Sequence, residues 1–304
     1  MNGYADHPGN RDNTEIIKDE PAVIILNYDS YEDTLKLIKS IEDYDPGLCV
    51  IVVDNASDPE ERRKLTELED RCILILLEEN GGYAAGNNAG IRKALQLGYD
   101  TFLIANSDTR LISKRAVRDC YDYMKSNGVG ILGPKMVNES GEDVSGMICA
   151  DRYGRTVHQL TDQITECRCL TGAFMLIRRS VIERTGYLRE FYFLYREDTD
   201  YCMRAYHEGV KIVYFPKITV VHKAGTTTKS VADYYYYRNM FVFSREIYGT
   251  GSLELALFYF FRFMLYSFGI IKGTASLSEK NGRLKRLWRA YYDGVRDIRG
   301  RIFL

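Results

Sequence analysis

The chain has 304 residues, of which 45% are hydrophobic and 27% charged, so it can bury at least one large core and is not mainly disordered. Its 41 Lys and Arg residues and 42 Asp and Glu residues give a formal net charge of -1, without the basic excess of a general nucleic-acid binder. The charge is uneven, because residues 272–304 contain nine basic and three acidic residues, a net +6 that leaves -7 for the rest.

The cysteines and the N-terminus indicate a cytoplasmic protein. Seven cysteines are an odd number for a disulfide framework, which favours a reducing compartment. Cys167 and Cys169 have no matching second pair, so we interpret them as ordinary thiols rather than zinc ligands. Residues 1–20 are polar and lack the apolar segment of a signal peptide, which predicts a mobile extension and no Sec-type export.

Continuous apolar runs alternate with segments of helical spacing through the first 110 residues. Such runs are typical of strands buried on both faces, and the alternation predicts an α/β fold with a mainly parallel sheet. The predicted strands are 22–26, 49–53, 73–77 and 101–105, and the predicted helices are 33–41, 59–68 and 91–97.

Beyond about residue 130 the pattern loosens into shorter elements. We predict strands at 172–177 and 210–215 and helices at 180–184 and 198–207. This half should form the second side of a cleft. No linker or repeat interrupts the chain, so we expect one catalytic domain over 21–248 and a helical, basic C-terminal region over 249–304.

Polar side chains follow each of the first four predicted strands. In open α/β sheets, ligands bind beyond the carboxyl ends of the strands. Four polar segments at one rim therefore predict a site for a polar ligand. These segments are Asn27–Asp29, Asp54–Ser57, Glu79–Tyr83 and Asn106–Asp108.

Three further features could carry chemistry. Asp108 could hold a hard divalent cation, although the segment that contains it could equally be a turn or a helix cap. The carboxylates of Glu197, Asp198 and Asp200 could include a base whose pKa is raised by crowding, or could simply complement a helix N-terminus. His222, at the end of an apolar run, is by itself more typical of a structural hydrogen bond than of a metal ligand.

The glycine-rich segment Asn80–Gly90 lies between a predicted strand and a predicted helix. Its small residues could let the backbone approach a pyrophosphate. It does not fit the GxGxxG pattern, and no acidic residue follows at the position that a dinucleotide fold requires. An NAD enzyme is therefore disfavoured.

The chain resembles the family 2 glycosyltransferases, and most of all their bacterial rhamnosyltransferase-like branch. The resemblance spans roughly residues 22–248 and rests on segments in the order and spacing of that family. These are Val23–Tyr28, Val53–Ser57, Asn80–Asn88, Asn106–Asp108, Thr171–Phe174, Glu197–Asp200 and Val221–His222, with Tyr236–Asn239 as a further match.

The resemblance implies a GT-A nucleotide-diphospho-sugar transferase fold and an inverting, metal-dependent sugar transfer. Asp198 would be the catalytic base, and Asp108 and His222 would hold Mg²⁺ or Mn²⁺. The family's Asp-x-Asp element begins here with Asn106, so the metal would depend on Asp108. The nucleotide-sugar site would include Asn27, Asp54, Asn80, Gly82, Asn87, Asn106 and Ser107, and the acceptor and auxiliary residues would be Gly172, Glu197 and Arg238.

The implied partners are a dTDP- or UDP-sugar donor, with rhamnose as one candidate sugar, and a glycan or lipid-linked glycan acceptor of surface polysaccharide synthesis. Two alternatives stay open: a sugar-phosphate nucleotidyltransferase, and a relative that binds a nucleotide sugar without transferring it. Residues 27–32 contain no Gly, Lys or Arg, unlike the glycine-rich basic signature of nucleotidyltransferases. A non-catalytic relative would be expected to have lost some of Asp108, Asp198 and His222.

Residues 253–271 form the most apolar segment, about as long as a bilayer is thick. Glu254 and Arg262 interrupt it, and an arginine near the bilayer centre is costly. Beside the +6 tail, an interfacial helix on the cytoplasmic face of the membrane fits better than a span. The alternative is a helical hairpin that packs on the catalytic domain or on a second copy, so oligomer formation stays open.

Overall fold

A computed structural model describes residues 18–144, 147–223 and 229–302 of the chain. The extension predicted at 1–20 therefore lies, up to residue 17, outside the described residues. The first half alternates strands and helices as predicted. Its elements are β1 (Ala22–Asn27), α1 (Tyr31–Tyr44), β2 (Val50–Asp54), α2 (Pro59–Thr66), β3 (Ile73–Leu76), α3 (Gly82–Gln96), β4 (Thr101–Asn106), β5 (Thr109–Leu111) and α4 (Ala116–Asn127).

The second half has shorter strands and longer helices. Its strands are β6 (Ile131–Val137), β7 (Met147–Ala150), β8 (Thr156–Gln159), β9 (Thr165–Glu166), β10 (Cys169–Leu170), β11 (Phe174–Arg178) and β12 (Ile212–His222). Its helices are α5 (Arg179–Thr185), α6 (Glu197–His207), α7 (Lys229–Tyr248), α8 (Ser252–Lys272) and α9 (Leu277–Val295), with a 3₁₀ turn at Glu190–Tyr192.

Within the described residues, the central sheet has nine strands, eight of them in the order β3-β2-β1-β4-β11-β6-β12-β5, with β9 paired to β12. The strands β1 to β4 are mutually parallel, whereas β11 runs antiparallel to β4 and β6. A smaller sheet, β10-β7-β8, lies beside it. The predicted α/β sheet is thus confirmed as a mixed sheet that is parallel in its first half.

Alternation along each strand builds the core. On β1, Ile24 belongs to one apolar layer, while Val23 and Ile25 belong to the layer on the opposite face. Both faces are covered by helices, which is why the strands read as continuous apolar runs. The parallel register places Asn27 opposite Asp54, and Leu26 opposite Asn106, so the polar segments that follow these strands meet at one edge.

Two element boundaries differ from the sequence prediction by more than three residues. The helix expected at 91–97 begins at Gly82, because the glycine-rich segment is itself helical. A Cβ at Gly86 would lie 2.2 Å from the side chain of Leu26, so the glycines let α3 pack closely on β1. The strand expected at 210–215 continues to His222 across an irregularity between Phe215 and Thr219, at Pro216, which has no backbone N–H to donate.

The three C-terminal helices pack through aromatic side chains. Phe241 of α7, Tyr259 and Phe263 of α8 and Leu287 of α9 are buried in one cluster. Ring centroids of Phe241 and Tyr259 lie 4.5 Å apart. Beyond α9 the chain returns to the segment that precedes α6, where Gly300 N donates to the carbonyl oxygen of Phe191 at 2.7 Å.

Candidate active site

Asn27 and Asp54 form a buried pair at the ends of β1 and β2. Both side chains are fully buried. Asn27 Nδ2 donates to Asp54 Oδ1 at 3.0 Å and to Ser57 Oγ at 3.1 Å, and Asn27 Oδ1 accepts from Thr34 Oγ1 at 2.8 Å. The amide of Asn27 therefore fixes the Asp54 carboxylate with respect to β1 and α1.

Arg62 of α2 completes the environment of Asp54. Its Nε donates to Asp54 Oδ2 at 2.8 Å, and the same oxygen accepts from the backbone N–H of Ser57 at 3.2 Å. A buried carboxylate is tolerated only when its charge is paired and hydrogen-bonded. Asp54 therefore organises the rim from beneath it, and its carboxylate does not reach solvent in this structure.

Asn80 and the start of α3 continue the rim. The amide of Asn55 bridges Asn80 Oδ1 at 3.0 Å and the carbonyl oxygen of Gly82 at 3.1 Å, while Asn80 Oδ1 also accepts from Gly82 N at 2.9 Å. Asn87 is buried on α3, and its Oδ1 has no hydrogen-bond partner among the residues that the structure describes. Of this group, Asn80 is the most accessible side chain.

Asn106, Ser107 and Asp108 leave the end of β4 beside the β1 rim. Ser107 Oγ lies 2.9 Å from Ser30 Oγ, which donates to Asn27 Oδ1 at 3.1 Å. The backbone N–H of Asn106 donates to the carbonyl oxygen of Ala173 at 2.9 Å. The predicted nucleotide-sugar residues Asn27, Asp54 and Ser107 thus belong to one hydrogen-bonded network.

Asp108 and His222 lie side by side because β5 pairs with the end of β12. The register places His222 opposite Thr109, and Lys223 N donates to the carbonyl oxygen of Asp108 at 3.0 Å. His222 Nε2 lies 3.3 Å from Asp108 Oδ1, a separation that lets one cation touch both atoms.

This pair fits a divalent cation that is shared with a substrate. Within residues 18–144, 147–223 and 229–302, no group of three or more His, Cys, Asp or Glu side chains gathers in a way that could hold a metal ion alone. A carboxylate and an imidazole can hold Mg²⁺ or Mn²⁺ when phosphate oxygens and water complete the shell. The donor set of Asp108 and His222 is of that kind.

Asp198 is the second residue of α6 and is hydrogen-bonded to Gly172. Its Oδ2 accepts from Gly172 N at 2.9 Å, and its Oδ1 accepts from Thr199 N at 2.6 Å. Tyr83 OH donates to the carbonyl oxygen of Gly172 at 2.6 Å. A Cβ at position 172 would lie 2.6 Å from Tyr83 OH and 3.0 Å from the Cβ of Asp198, so glycine is needed for this approach. Asp198 itself stays partly exposed.

Glu197 lies beneath Asp198 and differs from it in environment. Its side chain is buried, and Oε2 has no hydrogen-bond partner among the described residues. Burial, and then the charge of Asp198, raise the pKa of Glu197 to about 8. Glu197 is therefore protonated at neutral pH.

The loop that precedes these carboxylates has a strained backbone. Phe193, Tyr195 and Arg196 have φ values of 66°, 68° and 81°, a region that side chains with a Cβ seldom adopt. Asn239 of α7 holds this loop, because its Nδ2 lies within 3.0 Å of the carbonyl oxygens of Tyr192, Leu194 and Tyr195.

Arg238, which the sequence analysis lists among the acceptor and auxiliary residues, lies where it cannot touch an acceptor. It is fully buried, and its guanidinium donates to the carbonyl oxygens of Tyr192, Ile298 and Gly300 at 2.9, 3.1 and 3.1 Å and to Asn239 Oδ1 at 2.6 Å. Direct contact with an acceptor is excluded for so enclosed a side chain. Arg238 and Asn239 together form a clamp between the C-terminal tail and the active-site loop.

Sequence reasoning missed several of the residues that hold this site. Asn239 lies in the recognised aromatic-Arg-Asn segment, so its type and place were available as a signal. Arg62 and Ser30 carried none, because the partners Asp54 and Ser107 lie 8 and 77 positions away in the sequence. Tyr83 lies within the recognised segment Asn80–Asn88, but its bond to Gly172, 89 positions away, was not foreseen. Arg301 of the tail also reaches the rim, where it donates to the carbonyl oxygen of Asn80 at 3.2 Å.

The chain belongs to glycosyl transferase family 2, whose family model matches residues 22–186. It is 30% identical over 246 residues to the low-salt glycan biosynthesis hexosyltransferase Agl10 of Haloferax volcanii, a match that covers 77% of this chain and 78% of that protein. It is 23% identical over 296 residues to the dTDP-rhamnosyl transferase RfbF of Shigella flexneri, covering 92% and 96%. The protein is therefore a glycosyltransferase, which sets the nucleotidyltransferase alternative aside.

Solved structures show the same fold. GalNAc-T7, determined with UDP, GalNAc and Mn²⁺, matches with a TM-score of 0.58 and 12% identity over 92% of this chain, which spans 56% of the GalNAc-T7 chain. S. aureus TarS 1-349 in complex with UDP-GlcNAc matches with a TM-score of 0.57 and 18% identity, covering 91% and 81%. The predicted GT-A fold is confirmed.

Proposed function

We propose that this glycosyltransferase inverts the configuration of the sugar that it transfers, from a dTDP- or UDP-sugar to a hydroxyl group of a saccharide acceptor. The observation that supports this most is the continuity of the site. The network from Asp54 through Asn27, Ser30 and Ser107 leads to Asp108, and the contact from Asn106 to Ala173 leads to Gly172 and Asp198. Donor residues and base are thereby fixed relative to each other.

Asp198 is proposed as the general base. It takes the proton of the acceptor hydroxyl while that oxygen forms a bond to C1 of the sugar, and the bond from C1 to the diphosphate oxygen breaks with its electron pair leaving on the nucleoside diphosphate. The bonds from Gly172 N and Thr199 N orient the carboxylate for this transfer. Inversion follows when the acceptor oxygen, deprotonated by this base, attacks C1 from the face opposite the leaving group.

Asp108 and His222 are proposed to hold the cation, and Asn80, Gly82, Asn87, Asn106 and Ser107 to line the donor site. A divalent cation there supplies positive charge that stabilises the departing diphosphate. GalNAc-T7 with UDP and Mn²⁺ supports a cation of this kind. Asp54, which is buried, is proposed to shape the nucleotide site through Asn27 and Arg62.

The named relatives support the identity of the donor more than any other part of this proposal. RfbF is named as a dTDP-rhamnosyl transferase and matches across 92% of this chain, so dTDP-rhamnose is the first donor to test. The test is release of the nucleoside diphosphate from dTDP-, UDP- and GDP-sugars, with Mg²⁺, Mn²⁺ or EDTA. We expect metal-dependent release from one dTDP- or UDP-sugar, and release from GDP-sugars alone would contradict the proposal.

The C-terminal region is proposed to attach the enzyme to the cytoplasmic face of the membrane. Among the described residues, one helix, α8, is long and apolar enough to cross a bilayer by length and composition. One face of it is buried against α7 and α9. The other face exposes eight large apolar side chains: Leu253, Leu257, Phe260, Phe261, Met264, Leu265, Phe268 and Ile271.

Charge favours a lipid surface as the occupant of this face. The neighbouring helix α9 exposes Lys285, together with Arg283 and Arg289, which lie 3.6 and 3.5 Å from Asp233 and Asp293. Basic residues next to an apolar helix face suit anionic lipids. Because its opposite face is already packed on protein, α8 would lie in the interface rather than cross it. We therefore assign catalysis to a domain over residues 21–248 and membrane attachment to the region over residues 249–304.

Vesicle binding tests whether the exposed apolar face of α8 contacts lipid. The wild-type protein should co-sediment with phosphatidylglycerol vesicles more than with phosphatidylcholine vesicles. Phe261→Glu combined with Leu265→Glu should abolish co-sedimentation, because two charges enter the apolar face. Ile112→Glu, at an exposed apolar residue in the catalytic half, is the matched control. A wild-type protein that stays in the supernatant, or that forms a dimer which the double variant disrupts, would contradict membrane attachment.

A further inference from the structure

Residues 298–302, which we call the tail segment, follow α9 and lie against the start of the active-site loop. Gly300 N donates to the carbonyl oxygen of Phe191, just before this loop, at 2.7 Å. Ile302 N donates to the hydroxyl oxygen of Tyr235 on α7 at 2.9 Å. Two backbone hydrogen bonds therefore flank one residue of the tail segment and fix the position from which its side chain projects.

That residue is Arg301, and its guanidinium contacts two loops of the site at once. Nη1 donates to the carbonyl oxygen of Asn80, between β3 and α3, at 3.2 Å. The same guanidinium lies 5.7 Å from the ring centre of Phe193 in the active-site loop. A guanidinium is planar and carries several N–H donors, so it can stack on a ring while it donates a hydrogen bond. Arg301 therefore joins a residue of the proposed donor site to the loop that precedes Asp198.

The two loops that Arg301 joins also contact each other directly. Tyr83 N, in the first turn of α3, donates to the carbonyl oxygen of Phe193 at 2.9 Å. A Cβ at Gly82 would clash with the same oxygen, so glycine is needed where the loop meets α3. Phe193 is one of the residues with positive φ, and such a backbone persists only when its surroundings hold it. Arg301 contacts the side chain of Phe193, and Tyr83 contacts its carbonyl group.

This contact continues to the proposed base through two hydrogen bonds. Tyr83 OH donates to the carbonyl oxygen of Gly172 at 2.6 Å, and Gly172 N donates to Asp198 Oδ2 at 2.9 Å. The same tyrosine thus binds the active-site loop through its backbone and the partner of Asp198 through its side chain. Loosening the loop against α3 should therefore disturb both the donor rim and the base.

We propose that Arg301 is a positioning residue that couples the two sides of the site, so that donor binding and the placement of Asp198 depend on each other. The inference rests on the proposed function, because that proposal gives the two sides their roles. Arg301 acts through Asn80 and Phe193. The tail segment thus serves catalysis, although it follows the helices that we assign to membrane attachment.

The kinetic test measures nucleoside diphosphate release from the donor that the wild-type protein uses. In Arg301→Met, which removes the charge and the donors, we expect kcat to fall by about tenfold and the donor KM to rise by about fivefold, since both sides lose one charged contact. Arg301→Lys keeps a cation and should recover part of both losses. Arg296→Met is the matched control, because Arg296 is exposed and also stacks on a ring, that of Tyr292. It should behave as wild type.

A second readout needs no activity. Hydrogen exchange at the Tyr83 amide, whose N–H donates to Phe193, is measured without donor or metal. Exchange should be about tenfold faster in Arg301→Met than in wild type or Arg296→Met, because the hydrogen bond that protects this amide opens more often. If Arg301→Met does not fold, Arg301→Lys should show a smaller change in the same direction.

Three results would overturn the proposal. Wild-type exchange at Tyr83 in Arg301→Met would show that Arg301 does not hold the loop against α3. A change in kcat alone, or in donor KM alone, would show that Arg301 acts on one side and does not couple them. Equal losses in Arg301→Met and Arg296→Met would show a general effect of charge. The proposed function fails separately, if the wild-type protein releases no nucleoside diphosphate from any donor, and the exchange measurement still decides whether Arg301 holds the loop.

Discussion

The two sides of the active site are held in different ways. On the proposed donor side, the ends of β1, β2 and β4 are fixed by side chains that hydrogen-bond to each other, with Asn27 at the centre. On the proposed acceptor side, a strained loop is fixed from outside by Arg238 and Asn239 of α7. The donor side is thus built into the sheet, whereas the geometry of Asp198 depends on C-terminal helices distant in sequence.

This difference predicts which property of the enzyme a substitution will change. Substitutions in α7 or the tail should change the placement of Asp198 and leave the donor rim intact. Substitutions at the rim should change donor binding and leave the loop intact. The tail crosses this division where Arg301 contacts the carbonyl oxygen of Asn80.

The largest effect on the donor side is expected for Asp108→Ala. Removing the carboxylate leaves His222 alone, so metal-dependent binding of the nucleoside diphosphate should fall by about 100-fold, the upper end of the range for lost supporting contacts around a metal. The measurement is calorimetric titration with and without Mn²⁺. Asp33→Ala, at a carboxylate 3.3 Å from Lys223 Nζ, is the matched control. An affinity of Asp108→Ala equal to wild type in both conditions would contradict the cation site.

A smaller effect is expected for Asn239→Ala, which tests the clamp. Three loop carbonyls lose their shared donor, which should lower the free energy of unfolding by about 2 kcal/mol. The turnover number should fall while donor affinity stays at the wild-type level. Denaturant unfolding and nucleotide titration measure the two quantities. A variant with lower donor affinity and normal turnover would show that the clamp does not act on the acceptor side.

The smallest effect is expected for Glu197→Gln, which keeps the shape of a protonated carboxyl. In the folded protein the pKa of Glu197 is raised to about 8, so the native state binds the proton more tightly than the unfolded chain does. The stabilisation is complete below the ordinary pKa and is lost as the pH rises through about 8. Glu197→Gln should therefore be nearly as active as wild type at pH 7 and should lose this decline in stability between pH 5 and 8. A decline of the same size in the variant would contradict a protonated Glu197.

The sequence predicted those parts of the fold and site that leave a pattern within a few neighbouring residues. The apolar runs of β1, β2 and β4 indicated both the sheet and its polar rim, because strands buried on both faces leave a clear signal. The start of α3 was missed, since glycines that serve close packing on Leu26 look like a loop in sequence. The buried position of Arg238 was also beyond local pattern, because it depends on the carbonyl groups of Ile298 and Gly300.

The most direct test of the account is a paired measurement on Asp198→Asn. Donor binding and sugar transfer are measured in the same preparation, with nucleoside diphosphate release as the readout of turnover. We expect wild-type donor affinity and a turnover lower by about 10² to 10⁴, the usual contribution of a general base. Near-normal turnover in Asp198→Asn would contradict the base assignment, and lost donor affinity would contradict the separation of the two sides.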